Sequence, residues 1–325
     1  MRTGTVEGRD DNAPVKNRRA KGETRGDSLF KAASALVALG VLILIGLIVV
    51  VLAWSSQEAI GKFGPGFLWG TVWDPVAGSY GAAPFITGTL ITSAIALLIG
   101  VPISLGIAIF LSELAPGWLR SPLSFLVELL AAVPSVVYGL WGIFVLVPLM
   151  RDSVEPGLKS VLGFLPIFQG TPIGVDMLTA GVILAVMIIP TVSAISREAL
   201  MAVPQNQREA ALSLGATRWE TTKVAVLKYA RSGIFGAVIL GLGRAVGETM
   251  AVTMTIGNRN AIGSSLFSQG QTIASLIANN FTEAGQLELS ALIYLGLVLM
   301  LISLLINIFA RFVIGRLWRI GEAVE

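Results

Sequence analysis

The residues with most to say about chemistry are few. The 325-residue chain holds no Cys and no His. That removes thiol nucleophiles, imidazole triads and the usual zinc and haem ligand sets, and no cofactor or metal site is expected. What stands out is GRAVGETM, from Gly243 to Met250, inside an apolar run from Gly233 to Gly257 that is otherwise uncharged. A charge at the centre of a spanning helix costs about 2.5–3.5 kcal/mol on insertion scales. Arg244 and Glu248 must therefore face protein or a water-filled cavity.

Read as one continuous helix, the two residues share a face four positions apart. Two readings follow. One is an internal ion pair, although Arg before Glu is the weaker helical order. The other is an anion pathway, because the guanidinium is a planar fork matched to the oxygens of phosphate or sulfate. A carboxylate beside it repels an anion unless that anion carries a proton. Phosphate near neutral pH keeps an O–H donor and sulfate does not, so Glu248 would favour phosphate. Gly243 and Gly247 form a Gly-x-x-x-Gly pair on the adjoining face, suited to close packing of a second helix. Three further polar residues carry weaker readings. Ser135 follows Pro134 at an expected helix break, where freed backbone groups can line a cavity. Asn258 ends the run, as an outer-mouth ligand or a simple helix cap. Glu128 is expected to be structural.

The elements that must hold these residues are membrane spans. Hydrophobic residues make up 54% of the chain and charged ones 13%, against about 25% charged in soluble domains. Apolar runs of helical-span length recur, and the short alternating segments of a β-barrel are missing. Six spans are expected, roughly Ala32–Trp54, Phe85–Leu111, Leu126–Met150, Met177–Ile195, Gly233–Gly257 and Leu289–Ala310. Residues 1–28 are polar with charges of both signs, which reads as a disordered cytoplasmic tail. The rest, 29–325, reads as one six-span transmembrane domain. With the N-terminus inside, 18 Lys/Arg fall in inside segments and 4 outside, which puts both termini in the cytoplasm. Outside, Trp69 and Trp73 suit a membrane interface, and Thr272 to Phe281 puts Ile273, Leu276, Ile277 and Phe281 on one helical face; these loops read either as docking an extracytoplasmic partner or as simple interfacial helices.

The longest inside loop, residues 196–231, reads SREALMAVPQNQREAALSLGATRWETTKVAVLKYAR. Pro204 breaks the chain, Gln207 to Leu214 favours a short helix, Gly215 supplies a stop, and a second helix resumes at Thr217 or Arg218. Glu209, Ala210, Ala211 and Gly215 give EAA-x-x-x-Gly, which resembles the EAA loop of ABC importer permeases. Leu227 fits the continuation of that motif, whereas Ala225 and Lys228 stand where the family often has Ile and Pro. The resemblance implies that this helix couples the chain to an ATPase. No G-x-x-x-x-G-K-[ST] loop is present, so any ATP hydrolysis belongs to a separate chain.

GLGRAVGETMAVTMTIGN and ELLAAVPSVVYGLWG closely resemble the PstC-type permease subunits of phosphate-specific ABC importers. The likeness covers most of the chain from the third span onward; the first two spans share its length and placement more than its motifs. It implies an all-α membrane protein of type I (MetI-like) permease architecture with six transmembrane helices, in a bacterial inner membrane. It implies four kinds of partner: a PstA-type second permease, two copies of an ATP-binding subunit, an extracytoplasmic phosphate-binding protein, and inorganic phosphate itself. It also implies that Arg244 and Glu248 act in translocation and that the chain is no enzyme. The alternatives are a permease for another oxyanion, such as sulfate or molybdate, or an ion-coupled secondary transporter.

Overall fold

The computed structural model describes residues 25–322, with side chains from Ser28 to Phe312. The expected disordered tail, 1–28, lies outside the described residues except at its end, where a helix already begins at Arg25. The chain divides into two units, Met1–Val51 and Leu52–Glu325. The first contains most of α1 (Arg25–Ser55), a helix apolar on every face from Leu29 to Trp54.

In the second unit the helices follow in order: α2 (Gln57–Phe63), α3 (Ala83–Ile109), α4 (Gly117–Ala132), α5 (Ser135–Trp141), α6 (Val147–Leu149), α7 (Glu155–Leu162), α8 (Met177–Met201), α9 (Gln205–Ser213), α10 (Arg218–Thr221), α11 (Leu227–Gly247), α12 (Met250–Thr255), α13 (Ile273–Asn280) and α14 (Gln286–Glu322). π-helical turns join α5 to α6, α6 to α7, and α10 to α11. Two short strands, β1 (Trp73–Asp74) and β2 (Ser79–Tyr80), form an antiparallel hairpin. Six described segments are long and apolar enough to cross a membrane: Ser28–Ser55, Ala83–Leu114, Ser135–Leu162, Met177–Met201, Arg218–Gly247 and Gln286–Phe312.

The expected third and fifth spans need correcting, and the reason is the same for both. Pro134 has no N–H and pushes Val133 out of the helical region. Val133 accordingly sits at φ −65°, ψ 129°, and α4 stops at Ala132. The third crossing segment therefore begins at Ser135, and the residues before it form a separate helix. The fifth run also breaks, at Glu248 and Thr249, into α11 and the short α12.

α8 is the centre of the second unit. Two-thirds of its apolar window is buried, whereas no other crossing segment exceeds one-third. It packs along α3 and α11. Its small residues permit this: a Cβ on Gly181 would sit 2.5 Å from Ile95 Cγ2, and one on Gly241 2.5 Å from Val192 Cγ2. Ala96, Leu184, Ile188, Val192 and Ala237 fill the seam between these helices, and Val252 of α12 joins the same cluster.

At the end of the bundle away from α9, the connecting segments form a second core. Trp73 is buried there and its Nε1 donates to Glu288 Oε1 at 3.4 Å, so it is a core residue and not an interfacial anchor. Trp69 is 78% exposed, as an interfacial Trp would be. α13 is likewise no surface helix, since Ile273 and Leu276 are fully buried against the same core while Phe281 stays exposed. Its sequence has one apolar face, and periodicity alone does not distinguish a lipid surface from a protein core as the thing that face meets.

The α3–α8 approach yields a stability prediction. Gly181→Val should lower the melting temperature of the detergent-purified protein, because overpacking a tight seam costs about 1–3 kcal/mol. An unchanged melting temperature would mean that the two helices are not in such close contact.

Candidate functional site

Arg244 lies in the last turn of α11, which ends at Gly247. Glu248 is extended, at φ −70°, ψ 130°, and helix resumes only at Met250. The expected shared helical face is cut short, because α11 stops at Gly247 and Glu248 leaves the helical region. Among the described residues no ion pair joins Arg244 to Glu248. Arg244 Nη1 instead donates to Thr191 Oγ1 at 2.9 Å, across to α8. Glu248 Oε1 accepts from the Ala251 N–H, at 3.4 Å, at the start of α12.

The break gives each charge its own helix end. Arg244 is close to the carbonyl end of α11, and Glu248 is at the amide end of α12. Cations are favoured at the first kind of terminus and anions at the second. The charges are thus stabilised without neutralising each other, and both side chains stay part-exposed.

The break between α4 and α5 lies beside this one. α5 packs on α12: a Cβ on Gly139 would meet Met254 Sδ at 2.5 Å and Ala251 Cα at 3.2 Å, and one on Gly142 would meet Thr255 Cγ2 at 2.9 Å. These contacts run in parallel register, so Ser135 at the start of α5 lies level with the start of α12. Tyr138 donates to the Leu130 carbonyl at 2.8 Å, adding a donor to an acceptor at the end of α4. Two adjacent interruptions therefore put non-helical backbone, Arg244, Glu248 and Ser135 in one region. At membrane depth such backbone is tolerated where it is buried in protein or lines a cavity.

The remaining expected residues lie elsewhere. Asn258, at φ 54°, donates from Nδ2 to the Thr253 carbonyl at 2.9 Å and so caps the end of α12. Glu128 accepts from Arg197 at 3.1 Å, tying α4 to α8. Gly243 and Gly247 are exposed, and a Cβ on either would meet nothing within 4 Å. The close packing that their spacing allows is thus not used within this chain.

The loop after α8 matches its sequence closely. α9 ends in a Schellman turn, with the Gly215 N–H on the Leu212 carbonyl (3.0 Å) and the Ala216 N–H on the Ala211 carbonyl (3.2 Å). Gly215 takes φ +85°, which favours glycine. Thr217 and Glu220 form a capping box that starts α10. Glu209 and Ala210 are exposed, Ala211 is half-buried, and Leu214 is 89% exposed. A cleft of about 810 Å³ opens between α9 and the start of α11, lined by Ala210, Ala211, Leu214, Val224 and Tyr229 among others. Arg208 turns inward: it donates to Glu113 (2.9 Å) and to the carbonyls of Leu200 (2.9 Å) and Val203 (2.7 Å). α9 is thereby fastened to the end of α8 and to the turn after α3.

The sequence reading missed Thr191, the Arg208–Glu113 pair and a buried carboxyl pair. Thr191 follows Pro190 within an apolar run, the same signal that pointed to Ser135 after Pro134. The carboxyl pair, Asp176 and Glu155, is fully buried at the start of α8. Asp176 Oδ1 accepts from the Thr179 N–H at 2.9 Å, and Glu155 Oε2 from the Gly174 N–H at 3.2 Å. Burial and the neighbouring Glu155 raise the Asp176 carboxyl to about 7, against the pull of the Thr179 N–H. Asp176 Oδ2 and Glu155 Oε1 are buried without a hydrogen-bond partner, and a neutral Asp176 avoids placing two like charges in one buried site.

Comparison with known proteins now adds to this geometry. Residues 100–319 match the family described as binding-protein-dependent transport system inner membrane component. The chain belongs to that family. It is 49% identical over 307 residues to the phosphate transport system permease protein PstC of Haemophilus influenzae, covering 93% of this chain and 98% of that protein. It is 47% identical to the PstC of Pasteurella multocida, covering 89% and 92%. It is 40% identical to the probable PstC of Methanocaldococcus jannaschii, covering 89% and 94%. The fold is similar to a chain of a bacterial ABC transporter that imports the acidic polysaccharide alginate (TM-score 0.57, 18% identity, 90% and 96% covered). It is also similar to a chain of the MetNI methionine ABC transporter (TM-score 0.53, 17% identity, 75% and 99% covered). The protein is thus a multi-pass inner-membrane transport subunit of MetI-like fold and not an enzyme. Its family works with ATP-binding and substrate-binding subunits.

The carboxyl pair gives a pH prediction. A carboxyl raised in the folded state contributes stability below its ordinary titration range and loses it as pH rises through about 7. Asp176→Asn keeps an N-cap acceptor and removes the titration. Between about pH 5.5 and 8.5 the melting temperature of the wild type should fall more steeply than that of the variant. Equal slopes would show that Asp176 is ionised throughout.

Proposed function

We propose that this permease subunit carries inorganic phosphate into the cytoplasm as the PstC-type half of an ATP-driven importer. The observation that carries the reading is Arg244. It sits at a helix break in a crossing segment, is held by the Thr191 hydroxyl and has no carboxylate on it. An unneutralised guanidinium retains donors for a tetrahedral oxyanion. The phosphate-permease relatives at 46–49% identity support the choice of anion.

In this reading Arg244 holds the anion transiently, since a conducting site must also release. Glu248, at the adjoining break, accepts a hydrogen bond from the O–H that phosphate carries and sulfate lacks. Ser135, level with it on α5, adds a hydroxyl to the path. The second, PstA-type permease packs on the open Gly243–Gly247 face. The exposed EAA surface of Glu209, Ala210 and Ala211, shaped by the turn at Gly215, seats against one of two ATP-binding subunits. A phosphate-binding protein delivers from outside, and both termini lie in the cytoplasm, as the Lys/Arg distribution favours.

Arg244→Gln should cut phosphate uptake by about 10- to 100-fold, the worth of one strong charge-assisted interaction, with membrane level and ATPase co-purification unchanged. Uptake at the wild-type rate would remove Arg244 from the path. Glu248→Gln should relax discrimination, so that excess sulfate inhibits phosphate uptake in the variant but not in the wild type. Unchanged selectivity would assign Glu248 to capping α12 alone.

A further inference from the structure

We infer that Thr191 is part of the anion site, orienting Arg244 through its oxygen and donating its own hydroxyl proton to the anion. The inference rests on the phosphate-path reading of Arg244 and adds a residue that the sequence reading did not single out.

Most threonines in this protein's helices bond back to their own helix. Thr87, Thr89, Thr92, Thr222, Thr253 and Thr255 each donate the hydroxyl proton to the carbonyl four residues back. That is the usual way an intrahelical hydroxyl is satisfied in an apolar setting; Thr179 and Thr221 also lack such a bond, but their hydroxyls are buried and have no partner at all. Thr191 is also inside a helix, one residue after Pro190, but makes no such bond. Its Oγ1 accepts from Arg244 Nη1 at 2.9 Å, and among the described residues its proton has no acceptor. Thr191 and Arg244 are both part-exposed residues.

A hydroxyl accepts and donates at once. Accepting from Nη1 fixes the plane of the fork, and the remaining guanidinium N–H groups then point where that plane sends them. Donating adds a neutral donor beside a cationic one, which suits an oxyanion with several oxygens to satisfy. The platform is rigid, because α8 is the most buried crossing helix and Val192, the next residue, is fully buried in its central seam. Sites built on such elements hold their geometry better than sites on loops.

The test uses the whole importer in proteoliposomes, with its receptor outside and ATP inside, and inorganic phosphate as the probe. Wild type, Thr191→Val, Thr191→Ser and Arg244→Gln are compared for maximal uptake rate per assembled complex. Valine keeps the shape and removes the hydroxyl; serine keeps the hydroxyl and removes the methyl. Thr191→Val should lower the maximal rate about tenfold, the effect of one hydrogen bond to a charged group, and Thr191→Ser should recover to within about twofold of wild type. Should valine impair assembly, Thr191→Ala carries the same expectation. Two results overturn the proposal while leaving the Arg244 reading intact: wild-type rates for Thr191→Val beside a collapsed Arg244→Gln, or a serine variant as slow as the valine one. A wild-type rate for Arg244→Gln overturns both.

Discussion

Everything near the candidate site depends on the interruption of one helix at Glu248. Had α11 continued, Arg244 and Glu248 would face each other one turn apart and neutralise. The break separates them, hands each to an oppositely polarised helix end, and leaves the arginine to a hydroxyl on α8. Isolated charges are costly in a membrane, and a pair that cancels itself offers nothing to a substrate. Helix termini provide a third arrangement, in which partial charges from backbone groups stabilise side chains that stay available.

The break survives because of what packs beside it. Gly139 and Gly142 let α5 press onto α12, and α5 itself starts at a second break, after Pro134. α8 then connects this region with the loop at the far end. From Thr191 to Met201 the helix is continuous, about 15 Å at 1.5 Å per residue, and Arg208 fastens α9 directly onto its last turn. Arg197 and Glu128 tie the same stretch to α4. A displacement of α9 is therefore carried by a rigid element to the helix that holds Arg244. In the proposed reading, this is the route by which an ATPase seated on the EAA surface would act on the anion site.

Much of this was legible in the sequence because local chemistry decided it. Four of the six crossing segments lie where apolar runs put them, the third and fifth being shifted along the chain, and the α9 turn follows from Gly215 and the Thr217 capping box. The misreadings share a cause. Gly243 to Gly257 is apolar throughout apart from its two charges, so nothing in hydropathy marks the stop at Gly247; only weak helix formers, Gly247 and Thr249, hint at it. Trp73 and the α13 residues read as interfacial because amphipathic patterns are the same for lipid and for a protein core. Thr191, Asp176 and Glu155 gain meaning only from residues distant in the chain. Pairwise tertiary contacts of that kind carry no periodic signal.

The most direct test of the central claim is a cryo-EM map of the assembled importer trapped with phosphate in transit. The account predicts anion density within hydrogen-bonding distance, about 2.7–3.2 Å, of the Arg244 guanidinium, with Glu248 on the break and no carboxylate on Arg244. Arg244 paired to Glu248 or to another acid, with the phosphate held elsewhere, would contradict it.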